Sequence, residues 1–155
     1  FMELSKVDFN LTINGETLDT KLSGVKWITP NYPNNPKKEL FLLKEIKDEV
    51  IKEKKTKIIV SDYQILPSIS SAVNFAPNKW FDNLSVPNIN SIYFNTYKKF
   101  FEDKLIEQEI QIIFVIGQNK MKYLTHHFKK KDCVIKKNIN EISFKLNIEK
   151  CNFDN

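Results

Sequence analysis

The chain has 155 residues and no arginine: all 24 of its basic residues are lysine. Arginine carries the planar fork suited to bidentate recognition of phosphate and guanine. The formal charge of +5 is therefore assigned to solvated helix faces, and no nucleic-acid partner is expected. Glycine is scarce as well. Gly15, Gly24 and Gly117 are the only three, so neither a dinucleotide fingerprint nor a phosphate-cradling loop can be written anywhere. Zinc-helix, nucleophile-elbow and Cys-x-x-Cys patterns are also missing. No cofactor and no metal is expected, and no catalytic residue can be named. The two histidines, His126 and His127, are neighbours. On a helix they diverge too far to chelate one ion, and a surface or helix-end position that meets the helix dipole is expected. The longest apolar run, residues 112–116, has the length of a strand and falls far short of the roughly 20 residues that cross a bilayer. Phe1-Met2-Glu3-Leu4 lacks the basic start and apolar stretch of a secretory signal, and with Phe1 ahead of Met2 the chain is expected to be a fragment of a larger protein.

What is present has the balance of a folded domain, 41% hydrophobic and 28% charged. A single α/β domain over 1–155 is expected, with an N-terminal β element in 1–22 and an α/β core in 23–155. Residues 7–13 and 16–18 alternate around Asn14-Gly15, the pattern of a tight hairpin. Residues 25–28 read as a strand stopped by Pro30. Asn35 and Pro36 open a helix over 36–54 whose Leu40, Leu43, Ile46 and Val50 recur at helical spacing, with Lys44, Glu45, Lys47 and Asp48 on its wet side. The continuous apolar runs at 57–60 and 110–116 read as buried strands. Between them come a short helix over 63–71 kinked at Pro67, an irregular stretch over 72–90, and a helix over 91–109. A helix over 120–128 and a hairpin of 133–136 and 142–148, turning at 138–140, complete the chain. Strands separated by helices imply right-handed crossovers. The expected fold is a three-layer α/β sandwich with a mainly parallel, Rossmann-like sheet and a small β-hairpin at each end.

In such sheets ligands sit beyond the carboxyl ends of the strands. Asp62, Tyr63, Gln64, Gln118 and Asn119 are the candidate binding residues there, alongside Thr29 and Ser61. Asp62 with Tyr63 suits a sugar hydroxyl or acid–base chemistry, but an Asp at this position commonly caps the following helix, and that is the expected role. In the irregular stretch Trp80 offers a face for a sugar ring, but Trp80 and Phe81 together also suit pinning the loop into the core, and that is the expected role. Cys133 and Cys151 fall toward the open end of the terminal hairpin, where a disulfide is feasible and would point to an oxidising compartment. Two buried thiols fit the spacing about as well.

Ser23-Gly24-Val25-Lys26-Trp27-Ile28-Thr29-Pro30, Ile58-Ile59-Val60-Ser61-Asp62-Tyr63-Gln64-Ile65-Leu66, Ala76-Pro77-Asn78-Lys79-Trp80-Phe81-Asp82, and the closing Asp132-Cys133 and Lys150-Cys151 form a set. Together they resemble the soluble C-terminal region of bacterial multi-spanning glycosyltransferase-like membrane proteins that use polyprenyl-phosphate sugars. The resemblance covers most of the chain from Gly24 onward. It implies a non-catalytic accessory domain on the extracytoplasmic, periplasmic side of an inner membrane. The implied partners are the membrane-embedded remainder of the parent protein and a glycan or acceptor substrate. The family's acidic catalytic residues lie in its membrane-embedded half, which no part of this chain matches. Two other readings stand beside it: a small enzyme with a cleft at Asp62, Tyr63 and Gln118, and a cytosolic interaction module with free thiols and an apolar patch near Trp80.

Overall fold

Asp8, Asn14 and Asp19 set the local structure at the start of the chain. Each side chain accepts a hydrogen bond from the backbone N–H two residues on, at 2.9, 3.0 and 2.9 Å. Each thereby opens a 3₁₀ turn, at Phe9–Leu11, Gly15–Thr17 and Thr20–Leu22. The computed structural model describes residues 5, 7–128 and 131–153, and the chain forms two units, Phe1–Glu49 and Val50–Asn155.

The hairpin expected around Asn14-Gly15 does not form. Strand β1 (Ile13–Asn14) pairs instead with β2 (Lys26–Trp27), antiparallel, as a separate two-stranded sheet. The reason lies in the side chain of Asn14, whose Oδ1 takes the N–H groups of Glu16 and Gly24 and so starts a turn where a hairpin would reverse. Gly15 serves a close approach: a Cβ there would lie 3.0 Å from Leu22 Cβ. Residues 25–28, expected in the main sheet, supply β2 instead. Helix α1 (Pro36–Lys52) starts as its sequence indicates, with Asn35 Oδ1 accepting from the N–H of Lys38 at 3.0 Å. Leu40, Leu43, Ile46 and Val50 are fully buried. Glu39, also buried, accepts from Trp27 Nε1 at 2.8 Å and Thr29 Oγ1 at 2.6 Å. Lys47, expected on the wet side, is ion-paired with Asp19, and that hydrogen bond, with the N–H of Lys21, holds the Asp19 carboxyl below its usual range.

In the second unit β3 (Lys57–Val60) is followed by α2 (Ile65–Ile69), α3 (Phe94–Glu107), β4 (Ile112–Ile116), β5 (Ile135–Asn140) and β6 (Ser143–Asn147). The sheet order is β3-β4-β6-β5. Only β3 and β4 run parallel; β6 is antiparallel to both β4 and β5. The expected mainly parallel, Rossmann-like three-layer sandwich is therefore wrong, and the sheet is mixed. The segment expected as a helix over 120–128 explains the difference. It forms 3₁₀ turns, Gln118–Tyr123 and Thr125–His127, too short to carry the chain back across the sheet for another parallel strand. The chain moves to the far edge instead, and the terminal hairpin returns β6 between β4 and β5. The hairpin turns at Glu141-Ile142, two residues later than expected, because Asn140 Oδ1 accepts from Ile142 N at 3.2 Å and Ser143 Oγ at 2.8 Å. Pro67 does not kink α2; it is the third residue of a five-residue helix, where its missing N–H leaves no bond unmade.

One face of this sheet carries the core. The register pairs Ile58 with Ile113, Ile113 with Leu146, Val60 with Val115, and Val115 with Phe144. These alternate residues form two rows beneath Phe101 and Leu105 of α3, with Phe81 and Val86 of the long loop in the same cluster. Each buried side chain of this size contributes about 1.5–3 kcal/mol. Cys133 and Cys151 are joined, Cα atoms 4.9 Å apart, closing the open end of the β5–β6 hairpin. No helix among the described residues is long and apolar enough to cross a membrane.

Candidate functional site

Because Val60 pairs in parallel with Val115, the segments leaving β3 and β4 emerge at the same end of the sheet. Ser61 turns the first, its Oγ accepting from Tyr63 N at 2.9 Å. Gly117 turns the second at φ +101°; a Cβ there would lie 3.1 Å from Asn119 Oδ1 and 3.2 Å from Lys120 Cγ. That turn delivers Lys120 to this end. Only 5% exposed, its ammonium lies 2.8 and 2.7 Å from the two oxygens of Asp62 and 2.8 Å from the carbonyl of Phe81. The ammonium thus donates to Asp62 and to the Phe81 carbonyl and is ion-paired with the same carboxylate.

Gln64 makes the second clamp. Its Nε2 donates to the carbonyls of Ser61 and Lys79 at 2.7 and 2.8 Å. Asn78 Nδ2 donates in turn to the carbonyls of Trp80 and Ser85 at 3.0 and 3.2 Å. The part of the loop around residues 78–85 is thus tied to the strand ends through backbone carbonyls. Phe81 sits buried edge-on to Phe101, ring centroids 6.0 Å apart. Asp82 accepts from Leu84 N and Ser85 N at 2.9 and 2.7 Å. The hydrogen bonds from Ser85, more than the charge of Lys120, hold its carboxyl below the usual range. Trp80 stays 41% exposed, with Lys79 Nζ 5.4 Å from its ring centroid.

The candidates chosen from sequence are thus partly assembled. Gln64 meets the Trp80 loop directly and Asp62 reaches it only through Lys120, while Tyr63 is half-buried beside them and Gln118 and Asn119 lie exposed on the turn from β4. Asp62 does not cap α2, which has Gln64 at its N-cap without a side-chain bond; its carboxylate binds Lys120. Sequence reasoning missed Lys120, which stood there only as the first residue of the helix expected over 120–128. Its one local sign is its position three residues after the glycine that stops a wholly apolar strand.

Beside the carboxyl end of β3 lies a cavity of about 400 Å³ lined by Gln64, Asn74, Phe75, Asn78 and Lys79, among others. With the donors of Gln64 and Asn78 committed to the backbone, their carbonyl oxygens remain as acceptors. Phe75 presents its ring at 90% exposure. Acceptors, one ammonium and an open ring form a surface for hydroxyl groups with a flat apolar face. Among the described residues no group of three His, Cys, Asp or Glu could hold a metal ion.

One of the two histidines also departs from expectation. His126 is exposed, but His127 is only 2% exposed and stacks on Phe101 at 4.1 Å. Its Nδ1 makes no hydrogen bond and lies 3.6 Å from a Glu102 oxygen that Lys98 already engages. Burial pushes the imidazole down to about 3, with the charges of Lys98 and His126 acting the same way. The neighbouring Tyr97 hydroxyl is also buried without a partner, and burial pushes it up to about 12. A neutral imidazole wedged against α3 is a packing residue.

No protein-family model matches the chain, and neither the curated proteins nor the solved structures hold a significant match to it.

Proposed function

We propose that the chain is a non-catalytic, extracytoplasmic accessory domain of a membrane glycosyltransferase-like protein and that it holds a saccharide acceptor beside the carboxyl end of β3. The cavity beside Gln64 and Asn78 carries this reading, because its free acceptors and exposed Phe75 ring match sugar hydroxyls and a sugar face. Binding is favoured over catalysis: the Asp62 carboxylate at the end of β3 is ion-paired with Lys120, whose ammonium also donates to the Phe81 carbonyl. The Cys133–Cys151 bond supports an oxidising compartment.

The test is a titration with neutral oligosaccharides followed by tryptophan fluorescence in a Trp27→Phe background, which isolates Trp80. Saturable quenching that Phe75→Ser and Lys79→Gln each weaken about tenfold is expected. A library of saccharides that leaves Trp80 unchanged would remove the binding role. Free Cys133 and Cys151 thiols in cells making the native full-length protein would remove the extracytoplasmic assignment.

A second reading, an interaction module, draws on Leu84, Ile92 and Tyr93, which are 99%, 86% and 68% exposed on the long loop and the start of α3. Apolar side chains so displayed suit contact with the remainder of a parent protein. Cross-linking from Leu84→Cys in the full-length protein, with no adduct formed, would set that reading aside.

A further inference from the structure

A second cavity, of about 440 Å³, has the opposite hydrogen-bonding character. Val86 and Phe94, both buried, form its apolar floor, and Asn83, Asn88, Lys122, Tyr123 and His126 line its walls. The two amide oxygens of those walls each already accept a hydrogen bond. Asn83 Oδ1 receives the Tyr123 hydroxyl at 2.8 Å and Lys122 Nζ at 3.4 Å, and Asn88 Oδ1 receives the N–H of Asn90 at 3.0 Å. That leaves, as donors, the amide nitrogens of Asn83 and Asn88, the other protons of Lys122 and one ring nitrogen of His126, against the Tyr123 hydroxyl oxygen and the other imidazole nitrogen as acceptors. His126 is held edge-on to Phe94 at 5.5 Å, and Lys122 lies 4.7 Å from the Tyr123 ring centroid.

No Asp or Glu among the described residues lines this cavity. Asp82, the carboxylate next to Asn83, is bonded to the N–H groups of Leu84 and Ser85. A wall in which donors outnumber acceptors, with a cation and no competing carboxylate, favours a ligand rich in acceptors, an oxyanion above all. The aromatic and apolar floor selects a flat, partly apolar body attached to it, and the volume is that of a small-molecule site.

We propose that this cavity binds a small sugar ring bearing an oxyanion, a sugar phosphate or a uronic acid. The site shares no lining residue with the cavity at Gln64, and the proposal does not rest on that one holding a neutral saccharide.

The experiment is a ¹⁵N–¹H titration of the intact protein at fixed ionic strength with glucose 6-phosphate, glucuronate, glucose and inorganic phosphate. Saturable shifts confined to residues 83–94 and 122–126 are expected for at least one of the two anionic sugars, and which one responds identifies the oxyanion. Glucose shifts none of these amides, and inorganic phosphate binds at least about tenfold more weakly than the sugar, for want of the ring contact. Lys122→Gln, at an exposed position, weakens binding about tenfold, while Lys26→Gln, which removes the same charge from the other unit, leaves it unchanged. Equal responses to glucose or to free phosphate, insensitivity to Lys122→Gln, or no response to either anionic sugar would each overturn the proposal. A failed neutral-sugar titration at Trp80 leaves these outcomes readable on their own.

Discussion

Lys120 ties the loop at Phe81 to the end of β3, and its removal is expected to loosen that tie more than an average surface substitution would. In Lys120→Met the Phe81 carbonyl loses its donor, whereas Asp62, 52% exposed on its side chain, is rehydrated and recovers part of the loss. The expected cost is about 1–3 kcal/mol in urea unfolding, accompanied by a changed Trp80 emission. His127 makes a prediction about pH. Its folded value of about 3 lies below the ordinary 6.5, so the unfolded chain takes up a proton that the folded chain refuses. The stability tied to this residue is complete above about pH 6.5 and is lost as pH falls toward about 3, at about 1.4 kcal/mol per unit. His127→Phe, which keeps a ring against Phe101, should flatten the fall in unfolding free energy between about pH 7 and about pH 5. A slope unchanged from that of the parent would show that His127 titrates normally.

Among the elements, the β5–β6 hairpin depends most on a covalent link. β5 is an edge strand, exposed from Ile135 to Asn138, while β6 sits inside the sheet and supplies Phe144 and Leu146 to the core. The disulfide closes a loop with a sequence separation of 18, for which chain-entropy arguments give about 3 kcal/mol. The double variant Cys133→Ser, Cys151→Ser is expected to lose about that much, lowering the urea midpoint with little change in m. The elements themselves were unevenly legible. α1, α3, β3 and β4 follow from periodicity and continuous apolar runs, because those patterns report burial directly. The turns at Asn14 and at 118–127 were misread, because a capping side chain and an incomplete helical pattern look alike in sequence whether they open a hairpin, a helix or a 3₁₀ turn.

For the whole molecule, the sequence by itself determined the core: which strands and helices bury their apolar faces, that the two cysteines fall toward the open end of the hairpin, though not that they bond, and that the residues after β3 and β4 are polar. These follow from local patterns, since burial is written in the spacing of apolar side chains. The direction of β6, the separate β1–β2 sheet and the assembly of Asp62, Lys120 and the Phe81 carbonyl were decided only by the tertiary structure. A strand's alternation is the same read in either direction, and the residues that close the Lys120 cluster stand 39 and 58 positions away from it in the chain. Pairing over such distances depends on how the segments between are folded, and no short stretch of sequence encodes that.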